Sequence, residues 1–293
     1  MNKNKLLTIF RDEAAEYFEE VEAMSTGYKE KAAVLNRKIV QYRENYIEDA
    51  TSVIKDENTK LDAVLLITYV SYIVMLEFRN KVWPYEYMAF SRRIGELWEP
   101  FCKLPFEYPL TELSIYTPPN IEDVKQTLKA EINELINCLN IDKDKKIQLL
   151  RYYQAIWALI DNGGNISLTL DLHFEQLDEF YDVDYKSGFS SNEKGNTNRL
   201  LLVASIYKSL PDTHNNLIFV RQKEEENNHY LQTLKHSGLW GVFCADETYA
   251  KIAEFTGFDM RSWMKDNMDW ENDILPEFRE YLQSNDLIKY LTW

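Results

Sequence analysis

Glycine is scarce, at 9 of 293 residues. Few glycines leave few places for left-handed turns, so long regular elements are expected and disorder is not. Basic residues are outnumbered: 33 Lys and Arg stand against 48 Asp and Glu, a formal net charge of −15. That balance argues against a broad nucleic-acid-binding surface. Only 3 cysteines occur, Cys102, Cys138 and Cys244. They are odd in number and far apart, which fits neither a disulfide framework nor a zinc cluster, and leaves reduced core thiols in a cytoplasmic protein. Long apolar runs are also missing. The longest, residues 63–76, is interrupted by Thr68, Tyr69, Ser71 and Tyr72. It is too short to cross a bilayer, so a buried helix and no membrane partner are expected. At the N-terminus Arg11, Asp12 and Glu13 end the first apolar residues too early for a signal peptide. The histidines (His173, His214, His229, His236) lack metal-ligand spacing and read as hydrogen-bonded or surface groups. No G-x-S-x-G, Walker A or G-x-G-x-x-G pattern is present, which removes the usual signals for serine hydrolases, P-loop enzymes and dinucleotide binders.

What is present is a chain that is 45% hydrophobic and 14% aromatic, ordinary for a globular protein. Residues 1–110 read as a helical N-terminal region, with amphipathic or apolar helices over about 5–24, 28–55, 58–82 and 88–101. Pro100, Pro105, Pro109, Pro118 and Pro119 then mark a boundary. Residues 111–293 change character. Helices are expected over 121–139 and 143–160, the latter stopped by Asn162-Gly163-Gly164. Alternating runs at 166–174 and 180–189 predict a hairpin. A helix over 196–210, a buried strand at 217–220, a polar helix over 224–236, a buried strand at 239–244 and C-terminal helices follow. The fold class is α/β (α+β), a mixed sheet flanked by helices.

The hairpin carries the chemistry. Residues two apart on a strand face the same way, so Asp184 and Lys186 sit side by side, with Asp171 on the neighbouring strand. Glu175, Asp178 and Asp182 are alternatives to Asp171, and Asp182 shares the face of Asp184 by parity. Two carboxylates, with the Tyr185 carbonyl, suit a hard divalent ion such as Mg²⁺ or Mn²⁺. Lys186 could orient or deprotonate a water, or stabilise phosphoryl oxygens. An acid on a preceding helix, Glu131 or Glu134, could complete the set. The next segment holds Ser190, Ser191, Asn192, Lys194, Asn196, Asn198 and Arg199 at a helix start. Its amides, hydroxyls and cations suit phosphate and base edges. Arg221 and Lys223 end the following strand and would lie at the same sheet end. Residues 186–235 hold seven bases against five acids, leaving −17 on the rest of the chain. The pattern D-V-D-Y-K equally suits a solvated strand face with cross-strand ion pairs.

Asp171, Asp184 and Lys186, on a hairpin followed by a helix and a buried strand, resemble the PD-(D/E)xK nucleases, the fold of type II restriction endonucleases. Leu170 stands where that motif has proline, and the second acid is Asp, not the commoner Glu. The resemblance covers about residues 121–250. It implies a restriction-endonuclease-like domain, Mg²⁺-dependent cleavage of double-stranded DNA, catalysis by Asp171, Asp184 and Lys186, and a homodimer if the target is palindromic. The alternative is a non-catalytic acidic interaction protein or nucleic-acid mimic, which the net charge favours.

Overall fold

The computed structural model describes residues 1–162, 167–190 and 193–293. The N-terminal region is four long helices, α1 (Lys3–Glu22), α2 (Tyr28–Thr51), α3 (Glu57–Val82) and α4 (Tyr87–Glu107). The Asn2 and Asp56 side chains cap α1 and α3 by accepting from Lys5 and Thr59 N–H groups. Helix α3 is apolar on every side because α1, α2 and α4 surround it. It is the one helix among the described residues apolar and long enough to cross a membrane, and 94% of that stretch is buried inside the protein. Helix α4 was expected to end near residue 101, but it continues through Pro100 and Pro105. A proline inside a helix costs about 3 kcal/mol. Trp98, Phe101, Cys102 and Phe106 are all at most 1% exposed, and their burial offsets that cost.

Next come β1 (Ser114–Ile115), α5 (Ile121–Cys138), α6 (Lys143–Asn162), β2 (Leu172–Gln176), β3 (Glu179–Lys186), α7 (Lys194–Tyr207), β4 (His214–Val220), α8 (His229–His236) and β5 (Gly241–Cys244). The chain closes with α9 (Asp246–Thr256), α10 (Met260–Asn267), α11 (Trp270–Asp273) and α12 (Pro276–Ser284). The five strands form one mixed sheet in the order β1-β2-β3-β4-β5. The β1–β2 and β2–β3 pairs are antiparallel; β3–β4 and β4–β5 are parallel and joined through α7 and α8. The fold class is therefore the one expected. The polar helix expected from residue 224 starts only at His229, after a 3₁₀ turn at Glu224–Glu226.

Each sheet face has its own core. Leu172, Phe174, Val183, Tyr185, Leu217 and Phe219 pack with the N-terminal and C-terminal helices. Ile218 and Val220 face the other way, against Leu200, Val203 and Tyr207 of α7 and Leu231 and Leu234 of α8. The change from helices to sheet near residue 110 thus does not divide the first core. A buried polar lock ties its two ends. Arg11 grips Glu77 through two bonds, 2.9 and 2.7 Å, and donates to the Asp273 carbonyl at 2.7 Å. Lys3 and the Tyr69 hydroxyl both bind the Asp273 carboxylate at 2.8 Å.

Two sequence expectations need correcting. Ile166 of the strand expected over 166–174, and Gly163 and Gly164 of the expected helix stop, lie outside the described residues; among the described ones the strand begins only at Leu172, after a bend at Asp171, so Leu168 and Leu170 join the α7 core while Leu172 joins the opposite one. The cause is polar: the Leu170 N–H donates to His173 Nε2 and the Leu168 carbonyl accepts from Tyr207, so neither group joins the ladder. Of the cysteines, Cys102 and Cys244 are buried as expected, but Cys138 at the end of α5 is exposed.

Candidate active site

Strand β3 places Asp182, Asp184 and Lys186 on one face, opposite the face of Val183 and Tyr185. The register pairs Leu172 with Val183 and His173 with Asp182, so Asp171 stands beside Asp184. The Asp171 amide donates to the Val183 carbonyl at 3.0 Å, and its carboxylate accepts from the Tyr185 N–H at 2.7 Å. That second bond fixes the carboxylate against the strand that carries Asp184. Asp184 is 2% exposed. Lys186 Nζ pairs with its Oδ1, and Arg199 from the second turn of α7 reaches its Oδ2 at 3.2 Å. Burial pushes the Asp184 carboxyl up; the Lys186 and Arg199 charges pull it down, and Asp171 adds a further upward push. Lys186 also donates to the Tyr185 carbonyl at 3.2 Å. Its ammonium thus rests on two of the three oxygens expected to hold a metal. The Asp184 Oδ1 oxygen is already neutralised by the Lys186 ammonium.

Among the described residues, no group of three or more His, Cys, Asp or Glu side chains is arranged to hold a metal ion. The site offers two carboxylates and one main-chain carbonyl. An all-oxygen set this small fits Mg²⁺, which keeps several waters and seldom sits in an all-protein cage. The buried Asp184 Oδ1 already holds a cation, the Lys186 ammonium, which a metal ion would have to displace.

The structure also sorts the alternatives to Asp171. Asp178 lies in the two-residue hairpin turn, where Leu177 and Asp178 both have positive φ, and Glu175 pairs with Phe180 near that turn. Both are at the far end of β3 from Asp184. Asp182 is fully buried and spent: Oδ1 accepts from His173 Nδ1 at 2.7 Å and from the Tyr116 hydroxyl, and Oδ2 from His214 Nδ1 at 2.7 Å. Burial alone would raise this carboxyl, but the three donors outweigh it and hold it below the usual carboxylate range. Glu131 and Glu134 are exposed on α5.

The expected DNA contacts divide. Lys194 and Asn198 are exposed at the start of α7, and Ser190 is exposed in the preceding loop. Asn196 holds Arg199 at 3.3 Å, so both belong to the Asp184 cluster. Lys223 is exposed after β4. Arg221 is different: it donates to Ser187 Oγ at 3.1 Å and to the Thr292 carbonyl at 2.9 Å, which ties the end of β4 to the C-terminal segment. Burial lowers its pKa. Ser191 and Asn192 lie outside the described residues. The direct Arg199–Asp184 pair and the His173–Asp182–His214 cluster were not foreseen. Both depend on the β3–β4 register and on where α7 begins, which no local pattern gives.

A comparison with protein-family models finds no match to this chain, and neither does a comparison with curated proteins.

Proposed function

We propose that the chain is a divalent-metal-dependent endonuclease that hydrolyses phosphodiester bonds of double-stranded DNA, most like a type II restriction enzyme. One observation carries this reading: Asp171, Asp184 and Lys186 meet on one sheet face, with Arg199 against the same buried carboxylate. Asp171, Asp184 and the Tyr185 carbonyl would hold Mg²⁺ or Mn²⁺. The ion would supply charge neutralisation at the phosphate and a lowered pKa for a bound water. Lys186 is placed to stabilise phosphoryl oxygens or orient the attacking water, and must first leave Asp184 and Tyr185. Arg199 offers guanidinium N–H groups to a phosphate at the α7 N-terminus. Lys194 and Asn198, at the start of α7, and Ser190, just before it, are exposed and free to add contacts. A homodimer is supported by the α5–α6 pair, where Leu135, Ile147, Tyr152 and Ile156 are each more than half exposed.

A second reading is a non-catalytic acidic protein. The Lys186 ammonium seated on Asp184 and Tyr185 would then be a closed salt bridge, and the net charge of −15 supports it. A plasmid digest with and without Mg²⁺ separates the two. Defined bands that need Mg²⁺ support a site-specific endonuclease, a metal-dependent smear supports a nuclease without sequence choice, and intact plasmid supports the second reading.

A further inference from the structure

A second polar site lies on the N-terminal helices, where the chain is otherwise acidic. Arg79, Arg92, Arg93, Tyr85, Asn36 and Glu96 line a cavity of about 240 Å³. Three guanidinium groups face one carboxylate there. Glu96 holds Arg92 at 2.6 Å and Arg93 at 3.4 Å. Arg79 has no carboxylate partner among the described residues; it stacks 3.9 Å over the Tyr85 ring and donates to the Trp83 carbonyl. Arg93 spends one donor on the Met75 thioether, at 2.7 Å, and sulfur is a weak acceptor.

Three polar atoms of this cavity are buried without a well-aligned hydrogen bond, the Tyr85 hydroxyl, Arg93 Nε and Asn36 Oδ1, and the Tyr85 hydroxyl stands beside the Arg93 guanidinium. Tyr85 is 3% exposed, so its hydroxyl is offered to the cavity and not to bulk water. Buried donors left unpaired are costly, and in native proteins they commonly await a water, ion or ligand. Arginine pairs, a phenol and an amide together match a tetrahedral oxyanion. The amide of Asn36 donates after a simple flip.

A second cavity, of about 450 Å³, shares Arg92 and Glu96 in its lining and is also lined by Gly95 and Ser187. Gly95 lies one helical turn beyond Arg92, about 4.5 Å along α4. It is so close to Ser187 that an added Cβ would stand 2.7 Å from the serine Oγ. Ser187 directly follows Lys186. Gly95 and Ser187 thus bring α4 against the end of β3, on the sheet face opposite the Lys186 and Asp184 side chains.

We propose that Arg79, Arg92, Arg93 and Tyr85 form a phosphate-binding subsite, and that its phosphate belongs to a nucleic-acid strand. The nucleic-acid source rests on the nuclease reading; the phosphate site does not.

Calorimetry with inorganic phosphate, and with a duplex oligonucleotide over a salt series, tests both parts. The proteins are wild type, Arg92→Gln and Arg93→Gln. The Arg92 side chain is 81% exposed, so Arg92→Gln leaves folding intact even where Arg93→Gln does not. Wild type should bind inorganic phosphate. Each arginine variant should bind it roughly tenfold more weakly and lower the salt slope of duplex binding by about 0.9. Weakened phosphate binding with an unchanged duplex slope supports the site but refutes the nucleic-acid source in favour of a small phosphate ester. No phosphate binding by wild type, or equal binding by both arginine variants, overturns the site. Failure of the nuclease reading would appear separately, as absent cleavage with phosphate binding retained.

Discussion

Asp182→Asn should destabilise the fold, while Asp184→Asn, two residues along the same strand, should not. His173 Nε2 accepts from the Leu170 N–H at 2.8 Å, so that ring is neutral and carries its proton on Nδ1, aimed at Asp182. His214 Nδ1 and Tyr116 complete a set of three donors around one carboxylate. An asparagine has one acceptor oxygen and two N–H groups. At least one histidine N–H would then face another donor in a fully buried setting. One unsatisfied buried donor costs about 1–3 kcal/mol, and losing hydrogen bonds to a charged acceptor adds to that. A total near 3 kcal/mol lowers Tm by roughly 5–10 °C for a chain of this size. The pH dependence has a definite sign. The Asp182 pKa is depressed in the folded state. Its contribution is therefore full above the unfolded value, about 3.9, and is lost as pH falls through the folded value. The Tm gap between wild type and Asp182→Asn should be widest near neutral pH and shrink below about pH 4. Asp184 is raised, so its charge is a liability at neutral pH, and Asp184→Asn should be neutral or stabilising. Thermal unfolding of the three proteins from pH 7 to pH 3 measures all of this. An Asp182→Asn protein within 1 kcal/mol of wild type at pH 7, or a gap that widens in acid, would refute the reasoning.

Arg11→Ala should cost about 3–5 kcal/mol in urea unfolding, because it strands Glu77, 1% exposed, without its partner. Arg11→Ala together with Glu77→Leu should recover much of that loss. Of the three thiols, Cys138 alone should react quickly with a thiol reagent in the native protein. Cys102 and Cys244, whose thiols burial pushes up, should react only after unfolding.

Much of the candidate site was legible because strand parity is local. Asp184 and Lys186 had to share a face, and the distance to Asp171 suited a hairpin crossing. The choice of Asp171 over Asp182 was not legible. It rests on His214, 32 residues beyond Asp182 and brought beside it by the parallel β3–β4 pairing. The bend at Asp171 was hidden because Leu168, Leu170 and Leu172 alternate perfectly in sequence; only Tyr207 and His173, by taking the backbone polar groups, reveal it. Strand β1 is 2 residues long and was invisible to any periodicity. The prolines of α4 misled for the opposite reason: their local penalty is real, but the aromatic core around Trp98 and Phe101 outweighs it. Arg221 was read as a free cation because its acceptor, the Thr292 carbonyl, lies 71 residues away.

The central claim is that Asp171, Asp184 and Lys186 form a phosphodiester-cleaving site. Plasmid cleavage in Mg²⁺ by wild type, Asp171→Asn, Asp184→Asn and Lys186→Ala, each checked for folding by circular dichroism, tests it most directly. Cleavage by wild type and loss of at least a hundredfold in rate in each folded variant are expected. Wild-type rates in folded Asp184→Asn and Lys186→Ala proteins would contradict it.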